Sequence, residues 1–531
     1  MSAGDSVPTK PAEATPWAPL QQQWFRLLWI GVLCTYIGTW MQTVGAQWLL
    51  VESGAGGRVA LVQTANMLPM MLLALPAGVI CDVFSRRWVL FTVQAYVFCV
   101  AGCLAVLTWL DLVTPVLMLV FTLLIGVGAA VQLPAWQSVI PDLVPRAQLG
   151  AATRLEMVGV NFGRAAGPAL AGLVIALWGV PSVFALNALS VILFAVTLVR
   201  WQRPAGSEYE TRERFVPALR AGGRFVGHEP AVLRILARVT IFVLPATILW
   251  ALLPLVARER LGLEAGGYGA LFGALGVGAI SAALVVGKVR AWLSSNAVLA
   301  VSALIYLVAL VVVVEIPSFV AVLICLVFAG LGWTALFSTL MAELQLTLPV
   351  WVRARGLAVY LMVFAGCQAL ASVIWGQVAD ALGLRLSFLL AAGLVLVGVV
   401  VGRFLPIPSA PASADQTEAY WGDPHVADIE FADGKVLIRV DYTVAADRQT
   451  DYLEAMVSLH KARRRTGAIR WELYRDAERP NRFVEMFWVA SWEEHLRQHE
   501  GRLTAADRQI EETALAFSNP WPQSTHLLEV Q

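Results

Sequence analysis

Charged residues are scarce in this chain of 531 amino acids. Asp, Glu, Lys and Arg make up only 14% of the sequence and 58% is hydrophobic, whereas a soluble domain carries about 25% charged residues. The formal net charge is +1, which argues against a nucleic-acid-binding protein because such domains are usually strongly basic. The composition therefore indicates an integral protein of the lipid bilayer.

Several chemistries lack the residues that they need. The six cysteines all fall in apolar runs, which favours packing over disulfides or metal binding. The Gly287–Lys288 pair lacks the spaced glycine of a phosphate-binding loop, so ATP hydrolysis is not expected. All six histidines lie outside the apolar runs, so a proton-coupling group would be a carboxylate rather than an imidazole. We predict no metal, no cofactor and no catalytic residue.

Twelve apolar runs are long enough to cross a bilayer as helices. They follow a tail, residues 1–23, that lacks the apolar core of a cleavable signal peptide. The predicted fold class is therefore an all-α membrane protein of twelve transmembrane helices in two six-helix halves, 24–200 and 231–405, joined by a middle loop, 201–230. The predicted spans are 24–51, 59–80, 88–110, 115–138, 152–178, 181–199, 232–257, 267–287, 297–314, 319–344, 356–379 and 384–405.

Positive charge is unevenly distributed between the loops on the two sides. Eight Lys or Arg residues lie in short loops on the side of the termini, and four lie on the opposite side. Because cytoplasmic loops carry the excess of positive charge, we predict that both termini are cytoplasmic and that the protein lies in the plasma (inner) membrane. The eight are Arg86, Arg87, Arg146, Arg154, Lys288, Arg290, Arg353 and Arg355, and the four are Arg58, Arg258, Arg260 and Arg385.

The two halves share a spacing of Gly and Pro residues. One offset of 204 residues aligns Gly126 with Gly330, Gly128 with Gly332, Pro145 with Pro349 and Gly172 with Gly376. A single offset at four such positions indicates duplication with parallel repeats. Transporters of that architecture place their substrate site between the halves, near the membrane midplane.

The turn between the second and third predicted helices reads G-V-I-C-D-V-F-S-R-R, from Gly78 to Arg87. It resembles the loop signature of the major facilitator superfamily, in which a Gly, an Asp and a basic pair join these helices. Val83 and Ser85 depart from that signature. Gly78 is expected to let a neighbouring helix pack closely.

A gating role is expected for this turn. Asp82 can accept hydrogen bonds from the positive N-terminal end of another helix, which the resemblance identifies as the eleventh helix near Gly356. Arg86 and Arg87 form the basic pair, and Arg86 can pair locally. In the alternative, the charges only determine the topology.

The whole chain resembles one branch of this superfamily, the transmembrane secretion effectors. The similar stretches are W-M-Q (40–42), L-P-A-G-V-I-C-D (75–82), P-D-L-V-P-R-A-Q-L-G-A-A (141–152) and G-R-A-A-G-P-A-L-A-G (163–172), together with a trailing soluble domain. The resemblance implies a secondary transporter, with efflux as the expected direction, and names no substrate.

The fifth predicted helix carries two ionisable residues, Glu156 and Arg164, on nearly the same face. An ionisable group at membrane depth costs at least ~2.5 kcal/mol, so it normally faces a cavity and has a partner. We expect Glu156 to be the coupling carboxylate for a proton, and Arg164 to hold an anionic part of the substrate or to pair with Glu156. A static structural pair is the alternative. The adjoining Gly167, Pro168 and Gly172 resemble the fifth-helix motif of facilitator antiporters, which implies a role in gating.

Polar and aromatic residues at helical spacing mark faces that point to protein or water rather than lipid. In the major facilitator superfamily, which the chain resembles, helices one, four, seven and ten line the substrate cavity. Cavities lined by aromatic and Met side chains suit bulky amphiphilic ligands. Helix–helix packing is the alternative role for each residue. The predicted substrate-binding residues, besides Arg164, are Thr39, Gln42, Gln63, Asn66, Gln132, Trp136, Trp250, Phe337, Met341 and Gln368.

A linker, 406–420, leads to a cytosolic domain, 421–531, of ordinary soluble composition. Strand-like alternation at 436–444, 468–474, 482–490 and 525–530 and helical spacing at 447–465 and 492–517 give the order β-α-β-β-α-β, which predicts an α+β ferredoxin-like fold. The stretches 463–471 and 491–499 resemble the small dimeric antibiotic-biosynthesis-monooxygenase domains. His495 and His499 share a helical face but lack a third metal ligand.

Two functions from different classes compete. The first is a gradient-driven efflux transporter of a small amphiphilic molecule, of drug or siderophore class. The second is a membrane-anchored sensor or enzyme that acts through the cytosolic domain. We expect a regulatory or assembly role for that domain, with dimerisation and cofactor-independent oxygenase activity left open.

Overall fold

The computed structural model describes residues 15–54, 56–201, 215–407, 434–498 and 502–529. The side chains of Leu75, Val79, Asp82, Val83, Val350 and residues 215–221 lie outside the description. Residues 1–14 of the predicted tail, most of the linker, His499 and the gating side chain of Asp82 therefore fall outside the described residues.

Within the described ranges, ten helices are long and apolar enough to cross a membrane. The last of these is broken at Gly383, whose φ of +77° and ψ of 164° are not helical. The helices of the membrane part are α1 Gln23–Glu52, α2 Gly56–Val83, α3 Arg86–Trp109, α4 Pro115–Leu143, α5 Leu149–Trp178, α6 Val180–Arg200, α8 Pro230–Leu255, α9 Ala265–Arg290, α10 Ser295–Glu315, α11 Phe319–Thr347 and α12 Val350–Phe404.

The predicted middle loop contains a helix, α7, over Phe215–His228. Its apolar residues recur at intervals of three and four, which is the pattern of an amphipathic helix. The search for membrane spans does not detect this helix because 14 residues are too few to cross a bilayer.

The chain consists of two compact units. The first contains the described residues within 1–210, 238–339 and 361–404, and the second those within 211–237, 340–360 and 405–531. In the first unit, α1 packs on α5 and α6, α2 on α4, α3 on α6, and α5 on α9.

Glycines allow the closest of these helix contacts. A Cβ added at Gly31 would lie 2.8 Å from the Cα of Phe194, and one added at Gly276 would lie 2.1 Å from the Cα of Ala165. Helices in a membrane associate through such small residues because lipid provides no hydrophobic drive for their association.

The second unit contains a four-stranded antiparallel sheet with strand order β2-β3-β1-β4. Along β1, Val436, Ile438, Val440 and Tyr442 alternate into a buried core with Phe487 of β3. The strands are β1 Val436–Thr443, β2 Arg470–Arg475, β3 Arg482–Val489 and β4 Gln523–Leu528, and the helices are α13 Gln449–Thr466, α14 Trp492–Arg497 and α15 Ala505–Leu515.

The single helix predicted over 492–517 is wrong. Helix α14 ends at Arg497, and α15 starts only after Thr504. The Thr504 hydroxyl accepts from the backbone N–H of Asp507, whose carboxylate accepts from the backbone N–H of Thr504. This capping box satisfies orphan donors and begins a new helix.

A charged group lies in the core of this sheet domain. Glu485 is fully buried and accepts from Arg463 Nε at 3.1 Å, Trp471 Nε1 at 2.9 Å and the Tyr442 hydroxyl at 2.8 Å. Arg463 also contacts Glu511 at 2.5 Å. Burial alone would lower the pKa of Arg463, but Glu511 and Glu485 hold it above its usual value. The network satisfies charges that would otherwise oppose folding.

Candidate functional site

Glu156 is a buried carboxylate of the first unit, with 5% of its surface exposed. Its Oε1 accepts from the Tyr36 hydroxyl of α1, and its Oε2 accepts from Trp136 Nε1 of α4 at 2.7 Å. Helices α1, α4 and α5 therefore converge on one ionisable group. The sequence analysis predicts Trp136 in a substrate cavity and does not find Tyr36, which lies 120 residues from Glu156 in the chain.

Arg164 occupies different surroundings. Its guanidinium carbon lies 5.7 Å from the ring centroid of Trp40, a cation–π distance, and its buried Nε has no hydrogen-bond partner in the described part of the chain. The two turns between Glu156 and Arg164 separate them by about 12 Å along the helix axis, and the described residues contain no ion pair between them. The ion pair between Arg164 and Glu156, one of the expected roles of Arg164, is therefore not formed in this conformation.

An aromatic cluster adjoins Arg164. Trp250 lies at its centre, with ring centroids 6.1 Å from Trp40, 5.4 Å from Phe272 and 5.3 Å from Trp333. Among the predicted aromatic residues, Trp250 belongs to this cluster and Phe337 continues it through Phe364, 4.5 Å away. Met341 is half-buried on the same helix as Phe337. The sequence analysis misses Trp40, Phe272 and Trp333, although Trp333 and Phe337 are one helical turn apart.

Hydrogen bonds connect the two halves near the end where α1 finishes and α2 starts. The described residues form four such bonds. Gln47 donates from Nε2 to the Trp250 carbonyl at 3.0 Å and accepts at Oε1 from the Tyr268 hydroxyl at 2.5 Å. Gln63 Nε2 donates to Gln368 Oε1 at 3.0 Å, and the Thr64 hydroxyl donates to the Ala369 carbonyl at 2.9 Å. Gln63 and Gln368, both predicted as substrate-binding, therefore pair with each other. The sequence analysis misses Gln47 and Tyr268.

The other predicted polar residues bond within the first six helices. Gln42 Oε1 accepts from Asn187 of α6 at 3.3 Å, and Gln132 Oε1 accepts from Gln94 of α3 at 3.0 Å. Thr39 donates to the Thr35 carbonyl of its own helix, and Asn66 reaches the Thr43 hydroxyl at 3.5 Å. These contacts match the packing alternative in this conformation, because each side chain has at least one partner from a neighbouring turn or helix. The buried Nε2 of Gln42, however, has no hydrogen-bond partner among the described residues.

The glycines of the fifth helix serve two interfaces. A Cβ on Gly167 would lie 2.6 Å from Trp40 Cβ in α1, whereas a Cβ on Gly172 would lie 2.8 Å from the Ala265 carbonyl in α9. The Pro168 carbonyl lies 2.7 Å from a Cβ added at Gly269. The predicted gating motif thus packs one edge of α5 on its own half and another on the second half.

The basic pair of the turn between α2 and α3, Arg86 and Arg87, binds the ends of neighbouring helices. Arg86 donates to the Ser138 carbonyl at 2.7 Å and lies 3.8 Å from Asp142. Arg87 donates to the Leu198 and Val199 carbonyls at 2.8 and 2.5 Å.

The close packing expected at Gly78 is not found among the described residues, because a Cβ added there would meet none of their atoms within 4 Å. The glycine is therefore not required by a helix contact in this conformation.

For metals, the described residues contain no group of three or more His, Cys, Asp or Glu that could hold an ion.

Solved structures of membrane transporters share this fold. The bacterial homologue of the human lysosomal transporter Spinster, in its inward-facing and occupied conformation, aligns with a TM-score of 0.61 at 14% identity, over 73% of this chain and 97% of the other. A point mutant of the nucleoside transporter NupG aligns with a TM-score of 0.60 at 14% identity, over 72% of this chain and 100% of the other. The membrane helices thus adopt the fold of these two transporters.

The chain belongs to the transmembrane secretion effector family, whose match covers residues 14–530. It is 26% identical to the multidrug efflux pump Tap of Mycolicibacterium fortuitum over 72% of this chain and 95% of the pump. It is 24% identical to the staphyloferrin A transporter of Staphylococcus aureus over 34% of this chain and only 46% of that protein. The chain is an integral membrane protein and a secondary transporter, not an enzyme.

Proposed function

We propose that this transporter exports a small amphiphilic molecule in exchange for protons, by alternating access between the two halves. The observation that carries the proposal is Glu156, a carboxylate buried at the junction of three helices and held by two neutral donors. A carboxylate buried among membrane helices is costly to keep charged, and such groups mark proton relays in transporters. Proton uptake by Glu156 would therefore change the relative stability of two conformations, which is the requirement for coupling.

We propose twelve membrane crossings with both termini in the cytoplasm. Helix α2 adds one crossing to the ten apolar helices, and the break at Gly383 divides α12 into two. In this topology the four hydrogen bonds between the halves lie at the extracellular end. The conformation described here would then be inward-facing.

The substrate class is inferred from the aromatic cluster and Arg164. Aromatic faces provide large apolar contact area, and a guanidinium beside them can bind a carboxylate or phenolate. An amphiphilic molecule with an anionic group would use both. The names of the two relatives, a multidrug efflux pump and a staphyloferrin A transporter, support a drug or siderophore class.

Transport by inverted vesicles tests the proposal. Vesicles with an acidic interior should accumulate at least one compound from a panel of dyes, antibiotics and iron chelators, and a protonophore should abolish the accumulation. Vesicles without the protein provide the background. If no compound moves in response to the gradient, proton-coupled export is rejected and the sensor alternative is favoured.

Gating is proposed for two groups of residues. Arg86 and Arg87 hold the ends of α4 and α6 through backbone carbonyls, so a movement of these ends would be transmitted to the turn that contains Asp82. The α5–α9 contact at Gly172 and Pro168 would act as the surface on which the halves rock.

We further propose that the C-terminal domain is ferredoxin-like, as its strand order and βαββαβ sequence of elements support, and that it regulates transport. Within the second unit it is bound to the region before α8. Arg465 of α13 contacts Glu229 at 2.6 Å as well as Asp507, and Arg224 of α7 lies 3.5 Å from Glu494.

The same domain also contacts the start of α12. Arg502, held by Glu494 at 2.6 and 2.9 Å, lies 5.0 Å from the ring of Trp351, and Phe225 of α7 packs edge-on against that ring at 5.7 Å. Because α8 and α12 begin in this unit and are continuous with transmembrane helices, movement of their first turns would be opposed by these contacts.

Replacing Glu229 by Gln should loosen this attachment. The substitution removes the charge that Arg465 contacts but leaves the Arg465–Asp507 pair in place. We expect amide hydrogen exchange over 222–228 to accelerate at least threefold, and the transport rate to change at least twofold. Glu454→Gln, at an exposed position of α13, is the matched control and should change neither.

Truncation after Leu405 distinguishes the two functional classes. Transport that survives in the truncated protein assigns the activity to the helices and leaves the domain a regulatory role. Transport that disappears, together with an activity retained by the separate domain, would contradict the regulatory role.

A further inference from the structure

An apolar groove runs along the outer surface of the first unit between α3 and α6. Its volume is about 370 Å³. The side chains of Phe91, Phe98, Ile192 and Val196 line it, and Phe98 remains 42% exposed. The groove ends at Arg200, the last residue of α6.

Basic and aromatic side chains lie at that end. A smaller cavity of about 140 Å³ is lined by Arg86, Arg87, Trp88 and Trp201, with Asp142 on its wall. Trp88 is 55% exposed, and its ring lies 5.4 Å from the Arg87 guanidinium carbon. Tryptophans beside arginines are typical of the interface between lipid headgroups and the hydrocarbon core.

Among the described residues at this end, arginines outnumber carboxylates. Arg87 bonds to the carbonyls of Leu198 and Val199, which leave its net charge unchanged. Among the residues that the structure describes, neither Arg87 nor Arg200 forms an ion pair. Arg86 lies near Asp142, so two uncompensated positive charges remain at the mouth of the groove.

The dimensions of the groove correspond to one leaflet. Along α3 the groove lies between Phe91 and Cys99, a rise of about 12 Å at 1.5 Å per residue, and Arg87 lies about 6 Å before Phe91 on the same axis. Half of a typical hydrocarbon core is about 15 Å. An acyl chain that starts at the arginines would therefore occupy the groove over its length.

We propose that this groove binds one anionic phospholipid, with its phosphate at Arg87 and Arg200 and an acyl chain between α3 and α6. Charge complementarity selects the headgroup, because basic pockets between transmembrane helices bind anionic lipids, which are concentrated in the cytoplasmic leaflet. The assignment to that leaflet rests on the proposed orientation, but the site itself does not depend on the direction or coupling of transport.

Native mass spectrometry of the full-length protein in detergent tests the site. Phosphatidylglycerol and phosphatidylcholine with identical acyl chains serve as probes. We expect phosphatidylglycerol to be retained at least tenfold more strongly, and Arg200→Gln to reduce this preference at least threefold. Arg146→Gln is the matched control and should keep the preference. It removes an exposed arginine from the loop between α4 and α5, which the proposed topology places on the same side of the membrane.

A second variant tests the groove independently of its charges. Ala195 lines the groove, and Ala195→Trp should weaken retention of both lipids by filling it. Equal retention of the two lipids by the unmodified protein, or an equal loss in Arg146→Gln and Arg200→Gln, would overturn the proposal. Inorganic phosphate at millimolar concentration should not displace the lipid, and complete displacement would show a phosphate site without a chain-binding groove.

Discussion

Glu156→Gln should lower gradient-driven accumulation in inverted vesicles at least tenfold. Gln has the size and shape of protonated Glu and retains an acceptor for Tyr36 or Trp136, but it cannot take up or release a proton. The substitution therefore removes the charge change while it preserves the packing of α1, α4 and α5. Exchange of labelled for unlabelled substrate without a gradient should persist, because it needs alternating access but no net proton movement.

The pattern of the two assays identifies the role of the carboxylate. Glu264→Gln, at an exposed position before α9, should leave both assays unchanged. Loss of exchange together with accumulation in Glu156→Gln would assign Glu156 to substrate binding or to stability. Retention of both would remove Glu156 from the mechanism but leave the transporter class intact.

Gly276→Ala should strongly reduce transport by disturbing helix packing rather than proton uptake. The added methyl carbon would lie 2.1 Å from the Cα of Ala165 and 2.5 Å from its Cβ, so α5 and α9 must separate. Overpacking of this kind typically costs ~1–3 kcal/mol, and the separation alters the surface on which the two halves would rock. We expect transport to fall at least tenfold and the thermal unfolding temperature of the detergent-solubilised protein to decrease.

Gly102→Ala is the matched control for this substitution. Gly102 also lies within a membrane helix, but a Cβ there would meet nothing within 4 Å. The exchange of Gly for Ala in a helix should therefore be neutral or slightly stabilising. If the two variants behave alike, close packing of α5 on α9 is not required for transport.

Much of the fold can be predicted from the sequence because its signals are local. Long apolar runs locate membrane helices such as α4, whose predicted start at Pro115 is its observed start. Alternation of buried residues locates β1 and β3 to within a residue at each end. Helix α7 is missed because it is short and amphipathic, and the interruption before Thr504 is missed because a capping box is a weaker signal than helical spacing.

The candidate site depends on contacts that no spacing rule provides. Glu156 is identified because a carboxylate in an apolar run is expensive, whereas its partner Tyr36 comes from a helix that is remote in sequence. Gln42 and Gln132 are selected because they are polar and lie on helices that line the cavity in the superfamily that the chain resembles, yet each bonds to a neighbouring helix of its own half. Which way such a side chain turns is determined by tertiary packing.

The hydrogen bonds between the halves are weak in energetic terms. The four described bonds connect them near one end, and interhelical hydrogen bonds in membranes contribute on average only ~0.6 kcal/mol each. Their sum, on the order of 2.4 kcal/mol, is close to the ~2.3 kcal/mol released when one elementary charge crosses 100 mV. If transport is coupled to protons as proposed, one proton that moves down an ordinary membrane potential would release about as much free energy as these four hydrogen bonds contribute.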